Sequence, residues 1–276
     1  NSGLEYALRG TIINTPTVQW EARVAGSTLK NELVDLGDVE PFGTVARMEE
    51  GYSMGFLSTR VVREVVEAAG DSRCPLVGDA RVPCVIVSDS DEFFGNSLPT
   101  YEGNFGTTIT LLNNFRISGQ VDWKGGNYIY NNTAQFRDRS FGTSEISVRR
   151  NDILSDEERM RRYGPFVAET LKTAQGEPLA VPFSNVHDRY FEPADFVRIR
   201  EVAATYFLPA DLANRIRASS ASITVGARNL ALFTDYTGAD PEVLSAGTAS
   251  ETSFVREDFF TVPQTRRLVL KMNLSF

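Results

Sequence analysis

The feature that most constrains this chain is a two-residue rhythm. In the terminal "RLVLKMNLSF", Leu268, Leu270, Met272, Leu274 and Phe276 take every second position, while Arg267, Lys271, Asn273 and Ser275 fill positions between them. Successive side chains of an extended strand point to opposite faces, so this spacing predicts a strand with one apolar and one wet side. The rhythm recurs in "LEYALRGTI", where Leu4, Tyr6 and Leu8 oppose Glu5, Ala7 and Arg9. It recurs again in "VQWEARVAG", where Val18, Trp20, Ala22 and Val24 oppose Gln19, Glu21 and Arg23. No stretch approaches the roughly 18 consecutive apolar residues of a membrane helix, which excludes a helical membrane protein.

Aliphatic and aromatic residues make up 42% of the 276, a mixture that suits a globular protein and a membrane β-barrel equally. The strand faces discriminate better. After Tyr101, Phe105, Thr107, Ile109 and Leu111 comes Asn113-Asn114, a dipeptide tolerant of positive φ; Phe115, Ile117, Gly119, Val121 and Trp123 then resume the pattern. The other face of that second strand is Arg116, Ser118, Gln120, Asp122 and Lys124. So polar an inward face is awkward for a sandwich, whose interior is dry, and natural for a barrel with a wet lumen.

Downstream, "ADFVRIREVAATYFLP" changes phase between Ile199 and Val202, which a β-bulge near Arg200-Glu201 reconciles. "ASITVGARNLALF" and the terminal segment complete seven strands. Turns after Ile13, after Leu112 and around Pro209 are short or moderate, whereas 31–100, 132–193 and 234–261 are long, the inequality that outer-membrane barrels show. The parity puts Phe276 on the short-turn, periplasmic side. A weaker pair of segments near 53–65 and 82–88 would raise the strand count to nine. Ser155 and Glu158 resemble a capping box, so one long loop is expected to carry a short helix, broken or kinked at Gly164-Pro165. The expected fold class is all-β: antiparallel transmembrane β-barrel strands with long extracellular loops.

Asn1 opens without a start methionine or a targeting signal, and the chain reads as a fragment beginning in mid-strand. A net charge of −8 argues against a nucleic-acid surface. Cys74 and Cys84 bracket "CPLVGDARVPC"; a disulfide in an oxidising compartment and two free thiols fit this spacing equally. Asp89, Asp91 and Glu92 cluster in "SDSDE" but lack the glycine and distal glutamate of a calcium loop, so a solvated acidic turn is the preferred reading. His187-Asp188 could pair a base with its orienter, yet Ser184 sits in no nucleophile elbow, and no catalytic residue, metal site or cofactor is expected. Tyr128, Tyr130, Tyr163, Phe166, Tyr190 and Tyr236 could stack on sugar rings, and loop packing or interfacial anchoring explains them as well.

Ordered motifs then carry a resemblance. "NSGLEYALRG", "LKNELVDLG", "EGYSMGFL", "GNSLPTYEGNFGTTITL", "DFVRIREVAATYFLP" and "SITVGARNLALFTDYTGADPEV" resemble, in order, stretches of the carboxyl-terminal barrel region of SusC/RagA-type TonB-dependent outer-membrane receptors. The segments 60–92 and 140–185 depart from the pattern. The resemblance implies a barrel of about 22 strands around an amino-terminal plug, with residues 1–276 forming its carboxyl-terminal portion and both plug and TonB box lying elsewhere. It implies TonB-driven import of glycans or peptides across the outer membrane of a Gram-negative cell, without catalysis. A SusD-like lipoprotein and the TonB complex would be partners. Leu268, Leu270, Met272, Leu274 and Phe276 would form the signal read by the barrel assembly machinery.

On this reading Arg116, Gln120, Thr224 and Arg228 line the lumen, and Ile117, Val121, Ile223 and Val225 face lipid. A charge at Ile223, were it near the midplane, would impede assembly by about 2–4 kcal/mol. The rival readings are a soluble secreted or periplasmic β-rich carbohydrate-binding module, which needs a dry core between two sheets, and a small porin-like barrel closed by this chain alone.

Overall fold

The computed structural model describes residues 1–66, 71–73, 76–77, 80–81, 84–141, 171–172, 186–242, 244 and 256–276. Its framework is one antiparallel sheet of seven strands: β1 (Ser2–Asn14), β2 (Val18–Lys30), β3 (Tyr101–Leu111), β4 (Phe115–Gly125), β5 (Phe196–Phe207), β6 (Ser220–Thr234) and β7 (Arg267–Ser275). Spatial order equals chain order, so the sheet is a meander. β1 and β7 do not pair with each other, and among the described residues the wall is open, without closure into a small barrel.

Short connections share one edge with the carboxyl terminus. The β1–β2 turn closes by Thr15 N–H donating to the Val18 carbonyl at 2.8 Å. The β3–β4 turn has positive φ at Leu112 (51°) and Asn113 (59°), with Asn114 N–H donating to the Leu111 carbonyl at 3.1 Å. That is a type I′ hairpin, whose twist matches the flanking strands. The positive-φ pair therefore lies one residue earlier than Asn113-Asn114. Asn114 is freed to bind β5, its side-chain amide donating to the Phe207 carbonyl at 3.0 Å.

The register makes the alternation two-dimensional. Ile13, Trp20, Ile109, Ile117, Ala204, Val225 and Leu270 form one row across all seven strands; the adjacent row is Asn14, Gln19, Thr110, Arg116, Thr205, Thr224 and Lys271. Apolar rows continue upward through Leu8, Val24, Phe105, Val121 and Ile199 to Tyr6, Gly26, Gly103, Trp123, Val197 and Phe233, and within these rows no residue on this face is charged; Lys30, opposite Ser2, lies beyond them. No second sheet covers this face among the described residues: Leu8, Val225, Leu268 and Leu270 are each more than 60% exposed. The dry core that a soluble sandwich requires is missing there. Curvature is toward the polar face, where Arg9, Glu21, Arg23, Gln120 and Glu201 line a hollow of about 370 Å³.

The bulge sits where the phase slip places it. Glu201 opposes Gln120 and Ile199 opposes Val121, leaving Arg200 as the extra residue. β6 answers with two extra residues, Asn229 and Leu230, between the partners of Glu201 and Ile199, and Asn229 takes a φ of 50°.

The tightest packing lies in the long connections rather than under the sheet. Leu57, Ile86, Val87, Ile129, Tyr130, Val186, Tyr190, Phe191 and Tyr236 are buried there. The segments near 53–65 and 82–88 do form strands, but they stay out of the wall. Phe56–Thr59 joins Ala46–Arg47 and Glu92–Gly95, while Val62–Val66 pairs with Cys84–Val87. Phe56, Leu57, Ser58 and Thr59 are all buried, so these residues belong to a two-sided core instead of a half-solvated wall. A helix, α1 (Asn132–Phe141), occupies the start of the second long connection, and a short α2 (Ala210–Arg215) bridges β5 and β6. The helix expected after Ser155 lies outside the described residues.

Candidate functional site: the concave wall and its loop platform

Strand alternation sends Arg116, Gln120, Thr224 and Arg228 to the same, concave face. Thr224 and Thr205 share a hydroxyl hydrogen bond of 2.9 Å across β5 and β6. Arg228 Nε donates to Glu201 at 2.9 Å, and the Arg116 guanidinium lies 5.0 Å over the Phe207 ring. Gln120 donates to Asp122 at 3.1 Å and accepts from Arg23 at 3.4 Å. The wall is therefore cross-linked by short polar contacts, with exposed guanidinium groups between them.

On the convex face, aromatic rings occupy both margins. Trp20, Phe115 and Tyr206 lie near the short turns, and Tyr6 and Trp123 toward the long connections. Eight residues separate Phe115 from Trp123, about 27 Å along the strand, or about 20 Å in height at a tilt near 40°. That height matches an apolar band bounded by aromatic girdles. Gly103 lets the upper ring lie across the strand, since a Cβ there would stand 2.4 Å from Trp123 Cζ2. The Trp20 indole N–H is satisfied by Thr107 Oγ1 at 2.9 Å, so its polar handle needs no water.

The motifs that carried the resemblance meet in space. Leu33 N–H donates to the Tyr52 carbonyl at 2.7 Å, Gly51 N–H to the Leu33 carbonyl at 2.9 Å, and Met54 N–H to Asn31 Oδ1 at 2.6 Å. Ser53 Oγ donates to Asn96 Oδ1 at 2.8 Å, which brings "GNSLP" to "EGYSMG". At the other end of the wall, Arg198 and Asp240 form a buried pair at 2.5 Å, with Glu242 at 3.2 Å. Arg200, the bulge residue, binds Asp122 at 2.6 Å and also Glu242. "FVRIRE" and "GADPEV" are thus the two halves of one clamp that fixes the last long connection to β5.

A second set of bonds fuses the connections into a platform. Tyr130 Oη donates to Gln135 Oε1, and Gln135 Nε2 lies 2.9 Å from His187 Nδ1. His187 N–H donates to Thr59 Oγ1 at 2.7 Å, and Val62 N–H to Asp188 at 2.9 Å. Burial pushes the His187 imidazole down to about 3, so it is a neutral core residue. Asp188, its sequence neighbour, binds backbone instead of orienting a base. Tyr236 donates to Asp258 at 2.8 Å, and burial followed by that carboxylate pushes its phenol up.

Tyr130, Tyr190 and Tyr236 are about 5% exposed or less, and Tyr128 packs against the same core, so loop packing accounts for them. Tyr163 and Phe166 lie outside the described residues, as does Cys74, so the possible Cys74–Cys84 bridge lies there too. In the acidic turn, Asp91 faces Arg60 at 3.5 Å and Glu92 faces Arg63 at 2.5 Å. Among the described residues no three His, Cys, Asp or Glu side chains are grouped to hold a metal. Two features escaped the sequence reading. The Arg198–Asp240 clamp joins residues far apart in the chain, and α1 is started by Asn131, whose Oδ1 accepts from Ala134 N–H at 2.9 Å. That N-cap was visible as Asn131 ahead of "NTAQF".

An antiparallel meander whose convex face is uncharged between aromatic margins, and whose concave face carries the charged residues, is a wall segment of a large, transmembrane-type β-barrel. No protein-family model matches the chain. TonB-dependent receptor P26 of Formosa agariphila is 23% identical over 297 residues, an alignment covering 100% of this chain and 29% of that protein. TonB-dependent receptor P3 of the same organism is 27% identical over 99 residues, covering 35% of this chain and 10% of that protein. A solved structure of the RagAB peptide transporter superposes with a TM-score of 0.67 at 18% identity, covering 99% of this chain and 29% of that one. The chain thus spans about 29% of the length of P26 and of the RagAB chain. The similarity is to the carboxyl-terminal barrel region of SusC/RagA-type TonB-dependent receptors, and the resemblance carried by the motifs is borne out.

Proposed function

We propose that this chain forms the carboxyl-terminal part of the barrel wall of an outer-membrane importer, with the plug and the TonB-contacting region in the amino-terminal portion of the same protein. The observation that carries this reading is the convex face, uncharged from row to row between two aromatic margins while the charged side chains lie on the concave face. Water offers no reason for that division, and a lipid bilayer requires it. Arg116, Gln120, Thr224 and Arg228 then line the lumen, and the full-length similarity to a TonB-dependent receptor points to uptake driven through TonB.

The substrate is a glycan or peptide delivered by a SusD-like lipoprotein seated on the loop platform, and the role is transport without catalysis. Leu268, Leu270, Met272, Leu274 and Phe276 present the terminal strand to the barrel assembly machinery. The test is to tag the full-length receptor in its Gram-negative host and follow fractionation, heat-modifiable mobility and uptake with and without TonB. Outer-membrane recovery with TonB-dependent uptake is expected. A soluble product, or uptake indifferent to TonB, refutes the reading.

A further inference from the structure

We infer that a hollow on the convex face, at the margin toward the long connections, holds the headgroup of a lipid that carries a protonated amine; this rests on the proposed placement in the outer membrane. The hollow measures about 350 Å³ and opens between β3, β4, β5 and β6. Those strands are flanked by β2 and β7, so the surface is bordered on both sides by this chain and looks away from the lumen.

Its floor is the upper aromatic row. Trp123, Val197 and Phe233 lie side by side across β4, β5 and β6, and Val197 and Phe233 are 42% and 59% exposed. The row continues the apolar band below it, along which an acyl chain would lie. Phe196 and Thr234 are the last partners of β5 and β6, so Asp195 and Asp235, one residue farther along, come together at the top of the hollow. Going up from the short turns along these four strands, they are the first charges on the convex face.

Asp195 is fixed in place. Its carboxylate accepts from Gly126 N–H at 2.8 Å and from Tyr101 Oη at 3.0 Å, and its carbonyl accepts from Thr234 Oγ1 at 2.7 Å. Position 125 has to be glycine for this, since a Cβ there would stand 2.3 Å from Tyr101 Oη and 2.7 Å from Asp195 Cγ. Both side-chain donors are neutral, so the carboxylate keeps its charge and a spare acceptor site on each oxygen. Asp235 is exposed and, among the described residues, has no hydrogen-bond or ion-pair partner. Lys124, the cation lining the hollow, is turned to Glu102 on the concave side at 2.8 Å. Two neighbouring carboxylates repel one another unless a cation lies between them. Aromatic faces attract a cation and carboxylates accept its N–H groups, so the hollow matches an ammonium and disfavours a headgroup that bears only phosphate.

The test uses the full-length receptor purified in detergent, its fold checked by heat-modifiable mobility. It is exposed to equimolar phosphatidylethanolamine, phosphatidylcholine and phosphatidylglycerol, and the retained lipids are counted by native mass spectrometry. Wild type is expected to retain phosphatidylethanolamine at least about fivefold over phosphatidylglycerol, with phosphatidylcholine, a cation without N–H groups, between them. Asp235→Asn should narrow the preference, and the Asp195→Asn, Asp235→Asn double variant should remove it. Equal retention of the ethanolamine and glycerol lipids by wild type overturns the inference, as does a preference that persists in a correctly folded double variant. Should the double variant fail to fold, Asp235→Asn decides alone, because that carboxylate holds no other group; an unchanged preference there overturns the inference. Failure of the outer-membrane placement would appear instead as a soluble product on fractionation. A receptor recovered in the membrane that retains these lipids equally fails this inference alone.

Discussion

A graded charge series along β6 tests the lipid-facing assignment. Ile223, Val225 and Ala227 all point to the convex face, in rows successively farther from the short turns. Ile223 lies opposite Tyr206 in the marginal row, so it is not at the midplane. Ala227 shares its row with Gly119, halfway between Phe115 and Trp123. Four residues separate Ile223 from Ala227, about 13 Å along the strand and about 10 Å in depth at the usual tilt. Arginine on a barrel's lipid face costs about 2–4 kcal/mol at the midplane and about 0–1 kcal/mol near an interface. Ile223→Arg should therefore be nearly silent, Val225→Arg intermediate, and Ala227→Arg the most harmful. The assay is urea titration of the full-length receptor in phospholipid vesicles, with the folded fraction read from heat-modifiable mobility. A gap of about 2 kcal/mol between the end members is some thirtyfold in the folding equilibrium. Equal costs at all three positions, or the largest at Ile223, would refute the depth assignment and with it the bilayer as the solvent of this face.

Three further outcomes follow from other parts of the structure. Asp240→Asn removes one of the two carboxylates that face the buried Arg198 and leaves Glu242 at 3.2 Å, which should weaken the hold of the last long connection by about 1.5–3 kcal/mol; hydrogen exchange around residues 236–242 reads it, and unchanged protection would show the Asp240 contact to be dispensable. His187 is depressed from 6.5 to about 3 by burial, so between those values the unfolded chain takes up a proton that the folded one refuses. The platform's stability from this group is complete above about pH 6.5 and falls toward pH 3, with a loss of about 2–3 kcal/mol at pH 4.5; a His187→Gln platform that lost protection identically over this range would contradict it. Deleting Phe276 should slow assembly in cells while leaving the vesicle-folded barrel stable, and equal assembly rates in pulse labelling would remove the terminal strand as a recognition signal.

The wall was legible in the sequence because its physics is local. Alternation fixes which face each residue takes, and the slip between Ile199 and Val202 located a bulge later found at Arg200. Seven strands were readable for that reason, and seven form. The platform was not legible, since its elements are held by partners far along the chain. Phe56–Thr59 is too short and too uniformly buried to show a period, and Thr59 is fixed by the backbone of His187. The aromatic residues offered as sugar-stacking candidates illustrate the difficulty: nothing in sequence spacing tells a tyrosine under a loop from one above it.

The separation of the packed core from the barrel wall bears on how such a protein enters its membrane. The wall exposes its apolar face and relies on lipid, whereas the platform condenses in water around Leu57, Ile129 and Phe191. If the chain is the wall proposed above, the connections would cross the bilayer as loose chain and collapse only after reaching the far side. On the proposed reading, a condensed platform would have to come apart before the connections could be drawn back, which would oppose withdrawal of the wall.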